Sequence, residues 1–462
     1  MTDPPSGNPQ NAYLQEAAGA APQSAQRRFL EAEGLRPMTL FLWAALLGSL
    51  VGLVGGVFQL TLTSITDWTE NLAASFAGGP VLWWLIPTAF SAVVVYASFL
   101  LVRHVAPETS GSGVQEIEGG LDDLRPLRWR RVLPVKFVAG LLSLSGRMVL
   151  GREGPTIQMG GNLGKMFGDL FKLSNVDVHT LIAAGAGAGL SAAFNAPLAG
   201  ILFVVEEMRP QFKYNFLSVH SVLIASVMSD IVLRALMGQL PDIEMPILEP
   251  PPLASLWLFP ILGVFFGVFG VVFNKLLVFT LDFFASLQGW AYSLTGLIVG
   301  AGVGLLGALR PEVVGGGYEV IPLALSESIP IGMMLGLFIA RFGSTMLSYG
   351  SGAPGGIFAP MLALATVFGM WSGHYAHDWF PDWVAHPQIF AVAGMGALFS
   401  ATVRAPLTGI ALTIEMTGNY ELILPLILTC MVAAIVAQGL GGRPIYTVLL
   451  ERTLKRAEVQ DA

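Results

Sequence analysis

Residues 184–206, AGAGAGLSAAFNAPLAGILFVVE, return as residues 393–415, AGMGALFSATVRAPLTGIALTIE. Twelve of the 23 positions are identical at a constant offset of 209, without a gap. Low complexity yields scattered Gly and Ala matches. It does not readily yield APLxGI twice, with a glutamate (Glu206, Glu415) at the same distance behind each. Such a repeat marks a chain built from two halves, a common transporter architecture that puts the site between the halves near the membrane midplane. The basic loop at 121–136 has an acidic, Pro-rich stretch as its counterpart in mid-chain. That favours halves of inverted orientation, about 39–240 and 250–456.

Composition agrees with a membrane setting. Of 462 residues, 54% are hydrophobic and only 12% charged, half the roughly 25% of a soluble domain. The mean hydropathy is +0.66. An ordinary soluble enzyme, a disordered chain and a nucleic-acid binder are excluded. The lone Cys430 allows neither a disulfide framework nor a Cys-based metal site. Seven stretches read as spans: Thr39–Thr63, Pro80–Val102, Phe216–Leu236, Leu253–Phe279, Trp290–Leu309, Pro330–Leu347 and Leu422–Leu440. Between them lie shorter apolar pieces broken by Gly and Pro, at 132–150, 151–168, 180–206, 355–373 and 388–417. These predict partial helices, which membranes tolerate only where protein or a water-filled cavity surrounds the broken backbone. Residues 1–38 read as a polar tail, mobile to about Ala25, and 457–462 as a short C-terminal one.

Arg27, Arg28 and Arg36 precede the first span. Arg125, Arg128, Arg130, Arg131 and Lys136 crowd one loop, and Arg452, Lys455 and Arg456 follow the last span. The positive-inside rule places all three groups, and both termini, in the cytoplasm. Asp242, Glu244 and Glu249, with no Lys or Arg nearby, suit the outer face.

Three Gly-rich stretches interrupt the membrane region: Gly111-Ser112-Gly113-Val114-Gln115-Glu116, Gly151-Arg152-Glu153-Gly154-Pro155 and Gly352 to Pro360. Each precedes an apolar helical run and leaves free N–H groups at a helix start. Such a start carries about half a positive charge and binds anions without Lys or Arg. Partial charges let an anion leave again, as conduction requires. One such stretch alone reads as helix packing by small residues; three point to an anion pathway.

Glu153 adds an ionisable group inside the membrane, where such groups are costly. Deprotonated, it occupies an anion position; protonated, it vacates it. The plain alternative is a glutamate that only complements a helix dipole. Glu206 recurs as Glu415 and reads as structural. Glu207 aligns with Met416 and is the half-specific one, suited to proton transfer; pairing with Arg209 or Lys213 is its plain alternative. Ser112 and Tyr446 offer hydroxyls. Ser112 as a hydrolytic nucleophile would need a histidine base, and none of His104, His179, His220, His374, His377 or His386 has a partner pattern. His374, His377 and Asp378 read as part of a membrane-interface loop with Trp379 and Trp383, not a metal site.

At these motifs the chain resembles the CLC family of chloride channels and proton/chloride antiporters, across about Leu40 to Lys455. The resemblance is most specific in GREGP at 151–155, AAFNAPLAGILFVVEEMRPQF at 192–212, GAPGGIFAP at 352–360 and RAPLTGIALTIEMTGNY at 404–420. It implies an all-α polytopic fold of about eighteen tilted helices in two inverted repeats. It implies a homodimer in a bacterial inner membrane, each subunit with its own pathway. It implies secondary active exchange of chloride for protons, with a passive chloride channel as the alternative. No cofactor or metal is implied, and no nucleic-acid partner; chloride and protons are the transported ions. Ser112, Tyr446 and the N–H groups of Ile357 and Phe358 would hold a central chloride. Arg152 to Gly154 and Gly356 to Ala359 would supply an outer site, and Gly111 with Ser112 an inner one. Glu153 would be the outer gate and Glu207 the inner proton-transfer group. The presence of both glutamates resembles the exchangers. One departure is Gln115, where the usual GSGIP pattern has Pro; Gln adds an N–H and a flexible amide.

Overall fold

A computed structural model describes residues 23–75, 82–208 and 214–461. Among them are eighteen α-helices and no strand beyond one isolated bridge. They are α1 Gln23–Ser75, α2 Leu82–His104, α3 Val114–Leu121, α4 Trp129–Ser145, α5 Glu153–Phe171, α6 Asn175–Phe194, α7 Pro197–Glu206, α8 Phe216–Met237 and α9 Leu258–Ser286. The series continues with α10 Gly289–Ser293, α11 Thr295–Leu309, α12 Val320–Leu325, α13 Ile331–Gly350, α14 Phe358–Trp379, α15 Gln388–Val403, α16 Pro406–Thr417, α17 Ile423–Gly439 and α18 Ile445–Asp461. Residues 1–22 of the expected tail lie outside the described residues. From Gln23 the chain is already helical and runs through Pro37 into the first span.

Seven helical stretches are long and apolar enough to cross a membrane. Six match the sequence reading. The seventh is Asn175–Phe194, not Trp290–Leu309. The latter is divided at Leu294 into a five-residue helix and a 15-residue one, and 15 residues reach only about 22 Å. That shorter helix, α11, packs on α2 through a glycine stripe. A Cβ on Gly296, Gly300 or Gly304 would press within 3 Å of Phe99, Ser91 or Val95. Small residues permit the same close approach where α5 meets α6 and α1 meets α8.

The repeat has one backbone solution used twice. Helix α6 ends at Asn195 in the left-handed region (φ 53°), and α15 ends at Arg404 likewise (φ 72°). Ala196 and Ala405 then extend, as residues before proline do, and Pro197 and Pro406 open α7 and α16. These two helices pack against each other and exchange caps. Glu415, near the end of α16, accepts the N–H groups of Leu198 and Ala199 at 3.0 and 2.8 Å. Glu206, at the end of α7, accepts those of Leu407 and Thr408 at 3.0 and 2.6 Å. Each carboxylate meets the start of the other helix, so the equivalent helices run antiparallel and the two halves are inverted.

Earlier in each half the correspondence runs at an offset of 204–205. Lys136 and Arg341 are both buried cations inside a helix. Lys136 Nζ donates to the carbonyls of Thr109 and Gly111, at 2.9 and 2.7 Å. Arg341 donates to those of Glu312, Val314 and Gly315, at 2.7 to 3.0 Å. Lys136 was read above as a loop cation; it is instead internal, its charge spent on backbone. The loops these cations clasp carry matching left-handed glycines, Gly111 and Gly113 in the first half and Gly315 and Gly317 in the second. The loops lie at opposite ends of the molecule. The 311–318 segment borders a cavity with Glu70 of α1, which lines a second cavity with Trp83 at the start of α2; Gly111 borders another with Pro107, just past the end of α2. Helix α2 has 23 residues and so separates them by about 34 Å.

Candidate functional site

The three Gly-rich stretches, up to 240 residues apart, meet at one point. Gly151 and Gly356 exchange both backbone hydrogen bonds, at 2.9 and 2.8 Å, and Gly355 N–H donates to Gly111 O at 3.0 Å. Ser110 Oγ donates to Gly352 O at 2.8 Å. A Cβ on Gly154 would come within 2.9 Å of the Cα atoms of both Gly356 and Ser112, so only hydrogen fits where these three backbones touch. The starts of α5 and α14 thus converge, with the 111–113 loop leading into α3 beside them. Their N–H groups have no intrahelical partner, and their dipoles favour negative charge there.

Glu153, fully buried at the first position of α5, sits in this convergence. Its Oε1 accepts the N–H of Phe358 at 2.7 Å. A Cβ on Gly151 or Gly356 would collide with the carboxylate, so glycine is what makes room for it. Phe358 N–H was expected to face a central anion; here it is committed to Glu153. The N–H of Ile357, one residue earlier, is given to no group among the described residues. Ala359 follows in the first turn of α14. Arg152 takes part through its backbone alone. Its guanidinium turns outward to Asp242 (2.5 Å), to Ala193 O (2.8 Å) and over the Tyr318 ring at 4.2 Å.

Ser112 and Tyr446 are both buried, and their hydroxyl oxygens stand 3.5 Å apart. That exceeds the usual 2.5–3.0 Å of an O–H···O bond, so they hold each other only weakly. The Phe358 ring packs edge-on against Tyr446 and Phe399. Pairwise contacts thus link Ser112 to Tyr446, Tyr446 to Phe358 and Phe358 to Glu153.

Glu207 lies apart from this group, at the end of α7, buried, with no side-chain hydrogen bond or ion pair among the described residues. Arg209 and Lys213, its suggested partners, lie outside the described residues. The charged groups that act on it are carboxylates: Glu206, and Glu118 of α3. Glu118 is buried and sequence reading missed it, although an EIE triplet in an apolar run is a signal of the right kind. Tyr349 was missed too. It is buried, and its hydroxyl accepts the Ser112 N–H at 3.4 Å. His374 and His377 belong to the last turns of α14, not to a loop, and bond the carbonyls of Met370 and Val384. No cluster with metal-ligand composition occurs among the described residues.

Comparison with known proteins matches this arrangement. The voltage gated chloride channel family profile covers residues 94–438. The H(+)/Cl(-) exchange transporter ClcA of Vibrio parahaemolyticus is 49% identical over 443 residues, 95% of each chain. The ClcA of Salmonella paratyphi B is 48% identical over 430 residues, 92% of this chain and 91% of that one. The crystal structure of a slow cyanobacterial Cl-/H+ antiporter superposes with a TM-score of 0.88 at 46% identity, covering 90% of this chain and 98% of the other. A glutamate-plugged meeting of helix starts in two inverted halves, together with these matches, places the chain in the voltage-gated chloride channel family.

Proposed function

We propose that this protein exchanges chloride for protons across a bacterial inner membrane, electrogenically and without a cofactor or metal. The observation that carries the reading is the Glu153 carboxylate bound to Phe358 N–H where the helix starts converge. A carboxylate and a chloride compete for the same donors there. Protonation removes the charge that holds Glu153, the side chain withdraws, and an anion takes its place. Ser112, Tyr446, Ile357 N–H and Phe358 N–H bind the central chloride. Gly111 borders the inner position, and backbone groups of Arg152, Gly154, Gly356 and Ala359 border the outer one. Glu207, with Glu118 beside it, passes protons between Glu153 and the far side. Partial backbone charges let chloride dissociate again, where a buried full cation would trap it.

The protein works as a multi-pass homodimer with both termini in the cytoplasm. The pair forms through the faces around 192–235 and 405–440, where Leu198, Leu407, Ile231 and Ile435 are exposed. Leu198→Cys and Leu407→Cys variants that trap no dimer on oxidation would count against that contact.

The test is proton movement in sealed liposomes, driven only by a chloride gradient, with chloride flux recorded in parallel. Uphill proton movement that disappears in Glu153→Ala and Glu207→Ala establishes the exchanger. Chloride flux without proton movement in the native protein replaces it with a passive channel.

A further inference from the structure

The two ends of the pathway differ in charge: one is nearly balanced and the other has an excess of cations. The cavity at the 315–317 end has Asp67, Glu70, Glu312 and Glu319 against Arg147, Arg152 and Arg341. The cavity at the 111–113 end, about 350 Å³ in volume, has Arg125, Arg128, Arg131, Arg452 and Arg456 against Glu108 and Glu116 alone. All five cations are arginine; no lysine lines it. Some of the charge is used internally. Arg131 binds Glu108 at 2.7 Å, Arg125 binds Glu116 at 3.0 Å, and Asp282 is shared by Arg452 and Arg456 at 2.8 and 3.9 Å. Arg128 makes no ion pair with a described residue, and the Nη2 of Arg452 is buried without a hydrogen-bond partner among them. At the floor, Gln115 is more than nine-tenths buried, and its side-chain amide makes no hydrogen bond with a described residue.

We propose that this vestibule is a binding site for a phosphate group, which competes with chloride for access to the pathway. The chemistry is specific in three ways. A guanidinium presents a planar fork that matches two oxygens of one phosphate, and arginine is the residue of choice for that contact. The volume is that of a small-molecule pocket, which starts at about 300 Å³, and is far larger than one chloride needs. Beyond the floor the path narrows to the Ser112 and Tyr446 hydroxyls, 3.5 Å apart. A tetrahedral oxyanion, larger than chloride, stops in the vestibule, with the Nε2–H groups of Gln115 and the unspent N–H groups of Arg128 and Arg452 as donors. The inference rests on the reading that chloride passes Ser112, and not on proton coupling.

Two sources supply a phosphate group at this surface: a soluble phosphate and the headgroup of an anionic lipid. The test measures the apparent KM for chloride flux in neutral phosphatidylcholine vesicles, with millimolar inorganic phosphate or with gluconate at matched ionic strength. Phosphate is expected to raise the KM several-fold over gluconate with the maximal rate unchanged. The ratio of the two KM values, read within each variant, is expected to fall towards one in Arg128→Gln and in Arg452→Gln. Calorimetric titration of the purified protein with phosphate gives the same answer without transport. A phosphate effect lost when phosphatidylglycerol is added assigns the site to the lipid headgroup, and one that persists assigns it to soluble phosphate. Equal KM values in phosphate and gluconate, with no heat of binding, overturn the proposal. Chloride flux with a phosphate effect but no proton movement overturns the exchanger reading and leaves this one standing.

Discussion

The two halves of the molecule share a scaffold and differ in chemistry. Both end a helix on a left-handed residue, extend through Ala, restart on Pro and lend a glutamate to the other half. Both clasp a glycine loop with a buried cation, Lys136 or Arg341. Yet the first half carries the titratable groups Glu118, Glu153 and Glu207 and the hydroxyl of Ser112. The second contributes backbone donors at 356–359 and the hydroxyl of Tyr446. At matching places Glu153 faces Phe358, Glu207 answers to Met416, and Ser112 to Gly316. Inversion gives a path open to both sides; the departures from symmetry give it a direction in which protons and anions are handled differently.

The comparison breaks most sharply at Glu153. Glu153→Ala frees the Phe358 N–H and leaves both helix starts without a titratable group. Proton movement in liposomes should fall to background while chloride flux continues. Making the halves alike at the next position, by Glu207→Met, should also abolish proton movement with chloride flux retained. The reciprocal Met416→Glu in that variant should not restore it, because at the 204 offset Glu118 is matched by Pro322, which cannot titrate. Recovery of coupling in the double variant would mean that the halves are interchangeable.

The shared scaffold is tested by stability. Arg341→Met and Lys136→Met each leave buried carbonyls unmet, at about 1–3 kcal/mol per unmet group. Arg341→Met should lower the unfolding midpoint more, since three carbonyls lose their donor against two. Removing the charge from either exchanged cap, by Glu206→Gln or Glu415→Gln, should cost about 1–2 kcal/mol. Glu206→Gln should cost slightly more in thermal unfolding, since Glu206 also accepts the Thr408 hydroxyl at 2.8 Å; a larger loss for Glu415→Gln would show that the caps are not a symmetric pair. The last test is Ser112→Ala. Loss of one hydrogen bond to an anion is worth about 1.5 kcal/mol, roughly tenfold in chloride affinity, read by calorimetry.

Much of this was legible in the sequence, and what was not has physical reasons. The APLxGI repeat is visible because proline before a short apolar helix tolerates little change. Glu153 and Glu207 stand out because carboxylates are rare in apolar runs. The earlier half of the correspondence, Lys136 with Arg341 and the glycine loops with each other, was not seen. It survives as matched cations and matched φ angles, with few matched letters, and at a different offset from the repeat. Lys136 was misplaced because the positive-inside rule counts charges near a span and is blind to which one points inward. Hydropathy reads Trp290–Leu309 as a span because it does not register the break at Leu294. Tyr349 carries no motif; only the fold brings its hydroxyl to Ser112 across 237 residues.

The exchanged caps also set a schedule for synthesis. Leu198 and Ala199 obtain their acceptor only when Glu415 has been made, 217 residues after Leu198. At about 5–20 residues per second, the first half waits about 10–40 s in the bilayer with the start of α7 unsatisfied. A chain cut short before Glu415 never closes that contact, so the final assembly step is also a check that translation reached the second repeat.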